Sequence, residues 1–90
     1  MAIIAVFDVK GATAAKYDEV IARLTAIGER VPDGQLYHVC YGDKTSLQVI
    51  DVYENQAKLA AFGAKLMPIL AELGIQATPT IAEVYNIIER

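Results

Sequence analysis

The sequence predicts an α+β fold of order βαββαβ, with a four-stranded antiparallel sheet and two helices. Three observations carry this expectation. Short apolar runs rich in β-branched and aromatic residues alternate with stretches of helical periodicity, and strand–helix–strand occurs twice within 90 residues. The strands are apolar on both faces, whereas a sheet needs only one apolar face to pack against its helices. The chain is 54% hydrophobic, rich for so small a chain, so part of its apolar surface is expected in an interface. Together these features point to one ferredoxin-like domain over residues 1–90 that dimerises sheet against sheet.

Each element follows from local chemistry. Ile3 to Val9 is a nearly continuous apolar run closed by Lys10-Gly11, and reads as a central strand. Thr13 suits an N-cap, because its hydroxyl can accept from an otherwise unpaired first-turn amide. Behind it Tyr17, Val20, Ile21, Leu24 and Ile27 recur at helical spacing, predicting a helix to about Arg30. Pro32-Asp33-Gly34 is a turn signal. Gln35 to Gly42 and Ser46 to Glu54 form a hairpin around a polar tip. Asn55 caps a second helix whose apolar positions are Leu59, Phe62, Leu66, Ile69, Leu70 and Leu73. Pro68 removes a backbone donor and is expected to kink that helix without ending it. Gly74 suits the left-handed position past its end. Thr80 to Ile88 is the fourth strand.

Composition excludes several roles. Net charge is −3, the pI is about 4.9 and the basic residues are scattered, so neither nucleic acid nor an anionic membrane is an expected partner. Cys40 is the only cysteine, which rules out an intrachain disulfide and fits a reducing compartment. Within its apolar strand it reads as a small buried hydrophobe. The opening segment has no basic leader, and no run approaches the roughly 20 apolar residues of a membrane span, so the expected location is cytoplasmic. One His, one Cys and scattered acids give no metal-ligand spacing, and the isolated glycines form no phosphate loop. No cofactor is expected.

Strand alternation sorts the remaining candidates by face. If Gly42 pairs with Leu47 across the hairpin tip, His38 lies opposite Asp51 and Leu36 opposite Tyr53. The one histidine then shares a sheet face with the lone acid of the run Val49 to Tyr53. The opposite face carries Tyr37, Val39, Tyr41, Ile50 and Val52, an aromatic and β-branched surface suited to a dimer interface. His38 and Asp51 have two readings. They form a base and the carboxylate that fixes its tautomer, or they satisfy each other's hydrogen bonds in a buried strand pair.

The order βαββαβ, the segment Gln35-Leu-Tyr-His-Val-Cys-Tyr-Gly42, and Val49-Ile-Asp-Val-Tyr-Glu-Asn55 running straight into a helix resemble the dimeric α+β-barrel superfamily. Within it, the chain is similar to the antibiotic-biosynthesis monooxygenase-like domains. The resemblance implies a cavity between sheet and helices, lined by an aromatic near the end of the third strand, where Tyr53 stands. It also implies activities such as cofactor-free oxygenation of aromatic polyketides or haem degradation. The haem-degrading relatives place an axial His on the second helix, about where Gly63 stands, and an Asn on the first strand, where this chain has Phe7 and Asp8. Those departures argue against haem degradation.

The expected ligand is a small hydrophobic or aromatic molecule. Three functional readings are open. The first is a cofactor-independent monooxygenase or related proton-transfer enzyme, with His38 as base, Asp51 as its orienter, Tyr53 as a positioning group, and Phe7, Phe62, Leu66 and Met67 as walls. The second is a binding module that uses the same pocket without turnover. The third is an assembly scaffold that needs no pocket.

Overall fold

The computed structural model describes residues 1–90. Its elements are β1 (Ile3–Lys10), α1 (Ala14–Ala26), β2 (Gln35–Asp43), β3 (Ser46–Tyr53), α2 (Gln56–Glu72) and β4 (Gln76–Glu83). The strands form one antiparallel sheet of order β2-β3-β1-β4, which places the most apolar strand, β1, between two neighbours. The core lies between the sheet and the helices. Ile3, Ala5 and Val9 of β1 and Tyr53 of β3 meet Val20 and Leu24 of α1 and Leu59, Phe62 and Leu70 of α2. No helix is long and apolar enough to cross a membrane.

Both helices begin and end by the same devices. Thr13 Oγ1 accepts from the Lys16 amide at 3.3 Å, and Asn55 Oδ1 accepts from the Lys58 amide at 2.9 Å. At the other end, Gly28 and Gly74 adopt φ of +75° and +69°, values that a side chain would disfavour. The following amides, of Glu29 and Ile75, then turn back to the carbonyls of Leu24 and Leu70 at 2.8 and 2.9 Å. This closure stops α1 at Ala26, short of the expected Arg30, because the left-handed turn at Gly28 outweighs the continuing apolar pattern. Pro68 lies inside α2, and the helix continues to Glu72 as expected.

The hairpin register is the expected one where it matters most. Gly42 pairs with Leu47 and His38 with Asp51. Below them the register slips: Tyr37 faces Val52 but Gln35 faces Tyr53, leaving Leu36 as a bulged extra residue. The expected pairing of Leu36 with Tyr53 is therefore replaced by Gln35 with Tyr53, and Leu36 is exposed.

The fourth strand also differs from expectation, since it runs Gln76–Glu83 rather than Thr80 to Ile88. Pro79 pairs with Phe7 inside it. Proline breaks a central strand, but β4 is an edge strand, where a missing amide can face outward. The residues beyond Glu83 form no regular element, although the Val84 amide still bonds to the Ala2 carbonyl.

The sheet face away from the helices remains open. Val6, Tyr37, Val39 and Tyr41 are 40–50% exposed there, beside half-buried Ile4, Ile50 and Val52. Exposed apolar residues clustered on one face are uncommon in a soluble chain without a covering partner.

Candidate functional site

A chain of three hydrogen-bonded side chains lies under the helices on the β2 side of the sheet. Asp51, on β3, is 4% exposed and is the only charged residue in the core. Its Oδ1 is 2.6 Å from His38 Nδ1, directly across the strand pair. His38 Nε2 is 2.7 Å from the Tyr17 hydroxyl, which descends from the inner face of α1. A carboxylate can only accept, so Nδ1 carries the proton in the neutral imidazole and Nε2 accepts from the phenol. The protons are thus ordered Tyr17 O–H to His38, and His38 N–H to Asp51.

These groups border a cavity of about 90 Å³ between sheet and helices. Its polar lining is confined to Tyr17, Arg30, Gln35, His38 and Asp51, and the remainder is apolar, including Phe7, Val20, Leu24, Phe62, Leu66 and Leu70. A second cavity of about 260 Å³ lies between α2 and the β1–β4 side of the sheet. The two share Phe7, Asp51, Phe62, Leu66 and Ala77, so those side chains form the partition between them. The second cavity is larger, but its only polar lining side chains are Asp51 and Gln56. The smaller one holds the convergent polar groups that orient a ligand.

Burial raises the Tyr17 phenol above its ordinary value, helped by the negative charge of Asp51 and opposed by the nearby Arg30. Tyr17 therefore stays neutral near pH 7 and serves as a hydrogen-bond donor. Tyr53 is also pushed upward, chiefly by burial. Both phenols hold their protons more tightly in the folded chain than in the unfolded one. The stability this contributes is complete below the ordinary tyrosine value of about 10 and is lost as pH rises through the folded values. Urea unfolding at increasing pH is expected to show this alkaline decline, and Tyr53→Phe to flatten it.

The other sequence candidates are placed as follows. Phe7, Phe62 and Leu66 line both cavities, and Met67 lines the second from an exposed position on α2. Tyr53 lines neither, being completely buried. It stacks near Phe62 with ring centroids 6.2 Å apart and donates to Gln35 Oε1 at 3.3 Å. It therefore touches the cavity lining through Phe62 and Gln35. Cys40 is only partly buried, and desolvation raises its thiol, which disfavours the thiolate. Tyr37, Val39, Tyr41, Ile50 and Val52 all occupy the face away from the cavity.

Three site residues escaped the sequence reading. Tyr17 was assigned to the apolar stripe of α1, yet a phenol in a buried stripe needs a hydrogen-bond partner, and that requirement was the available signal. Gln35 reaches the site only because of the bulge at Leu36. Arg30 comes to it only because α1 ends early. No three His, Cys, Asp or Glu side chains come together in an arrangement that could hold a metal ion.

Solved structures share this architecture. A candidate antibiotic biosynthesis monooxygenase from Deinococcus radiodurans superposes with a TM-score of 0.65 at 16% identity, covering 100% of this chain and 98% of that one. SnoaB, a cofactor-independent oxygenase from Streptomyces nogalater, superposes with a TM-score of 0.61 at 20% identity, covering 99% and 96%. The chain shares the βαββαβ ferredoxin-like α+β fold of these structures. A further candidate antibiotic biosynthesis monooxygenase, from Caulobacter crescentus CB15, shares this fold with a TM-score of 0.57 at 19% identity, covering 97% and 89%. No protein-family model and no curated protein matches the sequence.

Proposed function

We propose that the chain is a cofactor-independent monooxygenase, or a related proton-transfer enzyme, acting on a small aromatic or carbonyl compound. The observation that carries this reading is the Tyr17–His38–Asp51 relay on the one polar wall of an apolar cavity. A bound substrate with an acidic C–H or O–H gives its proton to the Tyr17 oxygen while the Tyr17 proton moves to His38 Nε2. Asp51 stabilises the resulting imidazolium and holds its orientation. The apolar walls exclude water and leave the substrate anion as an electron donor to dioxygen. For a methylene carbon the balance is one dioxygen consumed, one carbonyl formed and one water released, with no external reductant.

Oxygen uptake with an easily deprotonated aromatic such as anthrone tests this reading in chelator-treated protein. The wild-type chain is expected to consume one dioxygen per carbonyl formed. Tyr17→Phe is expected to slow the reaction by about 10²–10⁴-fold, the usual contribution of a positioned acid–base group. Activity unchanged in that variant contradicts the relay.

Both nitrogens of His38 are already occupied, and this observation favours a second reading, binding without turnover. Saturable binding of the aromatic with no oxygen uptake selects it.

The working unit in this proposal is a homodimer joined through the open sheet face. Tyr37, Val39, Tyr41, Ile50 and Val52 form the contact, extended by Ile4 and Val6 from β1. Support comes from the exposure of apolar side chains on that face, opposite the one that packs the helices.

A further inference from the structure

We infer that the cavity takes an aromatic acid as a monoanion, with its ring among the apolar side chains and its carboxylate at Arg30. This rests on the proposed ligand site but not on the relay doing chemistry there. Arg30 is the only cationic side chain lining the cavity. Its neighbours explain why its charge is free. The acids on either side of it in sequence, Glu29 and Asp33, are both committed to lysines of α2, Glu29 to Lys65 and Asp33 to Lys58. Arg23, on α1, is likewise paired, with Glu19 and Glu72. Arg30 has no carboxylate within ion-pair distance, although the chain carries three more acidic than basic residues.

The two lysine contacts also pin the loop between α1 and β2 against α2 on both sides of Arg30. The backbone that carries Arg30 is therefore held beside the cavity, and its exposed side chain lies close enough for its charge to act on the Tyr17 phenol. Gln35 adds to the same wall. Tyr53 occupies its side-chain oxygen, which leaves its NH₂ as a further donor. A guanidinium and an amide NH₂ beside an apolar chamber form a donor-only rim, and its complement is a carboxylate on an apolar body.

Equilibrium binding of 4-hydroxybenzoate and its neutral counterpart 4-hydroxybenzamide, at low ionic strength, tests the inference without requiring turnover. The wild-type chain is expected to bind the acid at least about tenfold more tightly, the scale of one charge-assisted hydrogen bond. Arg30→Gln is expected to bring the two ligands within about twofold of each other, and Arg30→Lys to keep part of the preference because it keeps the charge. Lys10→Gln, a charge change outside the cavity lining, is expected to leave the preference intact.

Equal binding of acid and amide by the wild type overturns the inference. So does a preference that survives Arg30→Gln, or no saturable binding of the acid at millimolar concentration. A preference for the acid without oxygen uptake on any aromatic upholds the carboxylate site and removes the monooxygenase reading. Oxygen uptake on neutral aromatics with no preference for the acid does the reverse.

Discussion

Replacing His38 by Leu is expected to destabilise the chain by about 3 kcal/mol, and adding Asp51→Leu in the same chain to recover most of that loss. Asp51 is nearly inaccessible, and its side-chain partner is His38. Removing the imidazole alone strands a carboxylate in the core, which typically costs about 3–5 kcal/mol. Removing both polar groups replaces a hydrogen-bonded pair, with Asp51 buried and His38 partly exposed, by apolar side chains, and replacing both partners of such a pair is often neutral or stabilising. A pair retained for function follows this pattern, because folding does not need it. A pair retained for structure does not, and the double variant then stays as unstable as the single one. Urea unfolding of the three proteins at neutral pH separates the two cases.

Val39→Glu is expected to split the proposed dimer. Val39 is half exposed in the single chain and faces away from the core, so a carboxylate there leaves the subunit fold intact. In a two-fold interface the substitution appears twice, and both charges must be desolvated close to each other. A loss of about 3 kcal/mol or more is expected, at least a hundredfold in dissociation constant. Sedimentation at micromolar concentration is expected to give twice the 9.8 kDa chain mass for the wild type and 9.8 kDa for the variant. A wild-type chain that sediments only at 9.8 kDa removes the dimer proposal.

How far the sequence could be read depended on what each feature answers to. The doubly apolar strands, the helix caps and the hairpin tip are local patterns, and the element order follows from them. Facing His38 with Asp51 needed only strand alternation and one correct pair at the tip, Gly42 with Leu47. The features that were missed depend on tertiary context. Pro79 stays within β4 because that strand lies at the sheet edge, a position settled only when the whole sheet assembles. The bulge at Leu36 moves Gln35 opposite Tyr53 and so into the site, and alternation alone cannot foresee an inserted residue. Tyr17 has the spacing of a core residue; its hydroxyl needs a hydrogen-bond partner, but spacing along α1 does not say that the partner is His38 on β2. Arg30 acquires its position from a helix that ends at Ala26 and from two lysines on another helix.

Because the chain has a single histidine, its nitrogen NMR spectrum contains one imidazole, and this tests the ordered relay most directly. In the neutral form, the proton is expected on Nδ1, facing Asp51, with Nε2 bare and accepting from Tyr17. Tyr17→Phe is expected to shift the Nε2 resonance and leave Nδ1 little changed. A neutral imidazole protonated at Nε2, or an Nε2 resonance indifferent to the loss of the Tyr17 hydroxyl, contradicts the relay and the proton-transfer chemistry built on it.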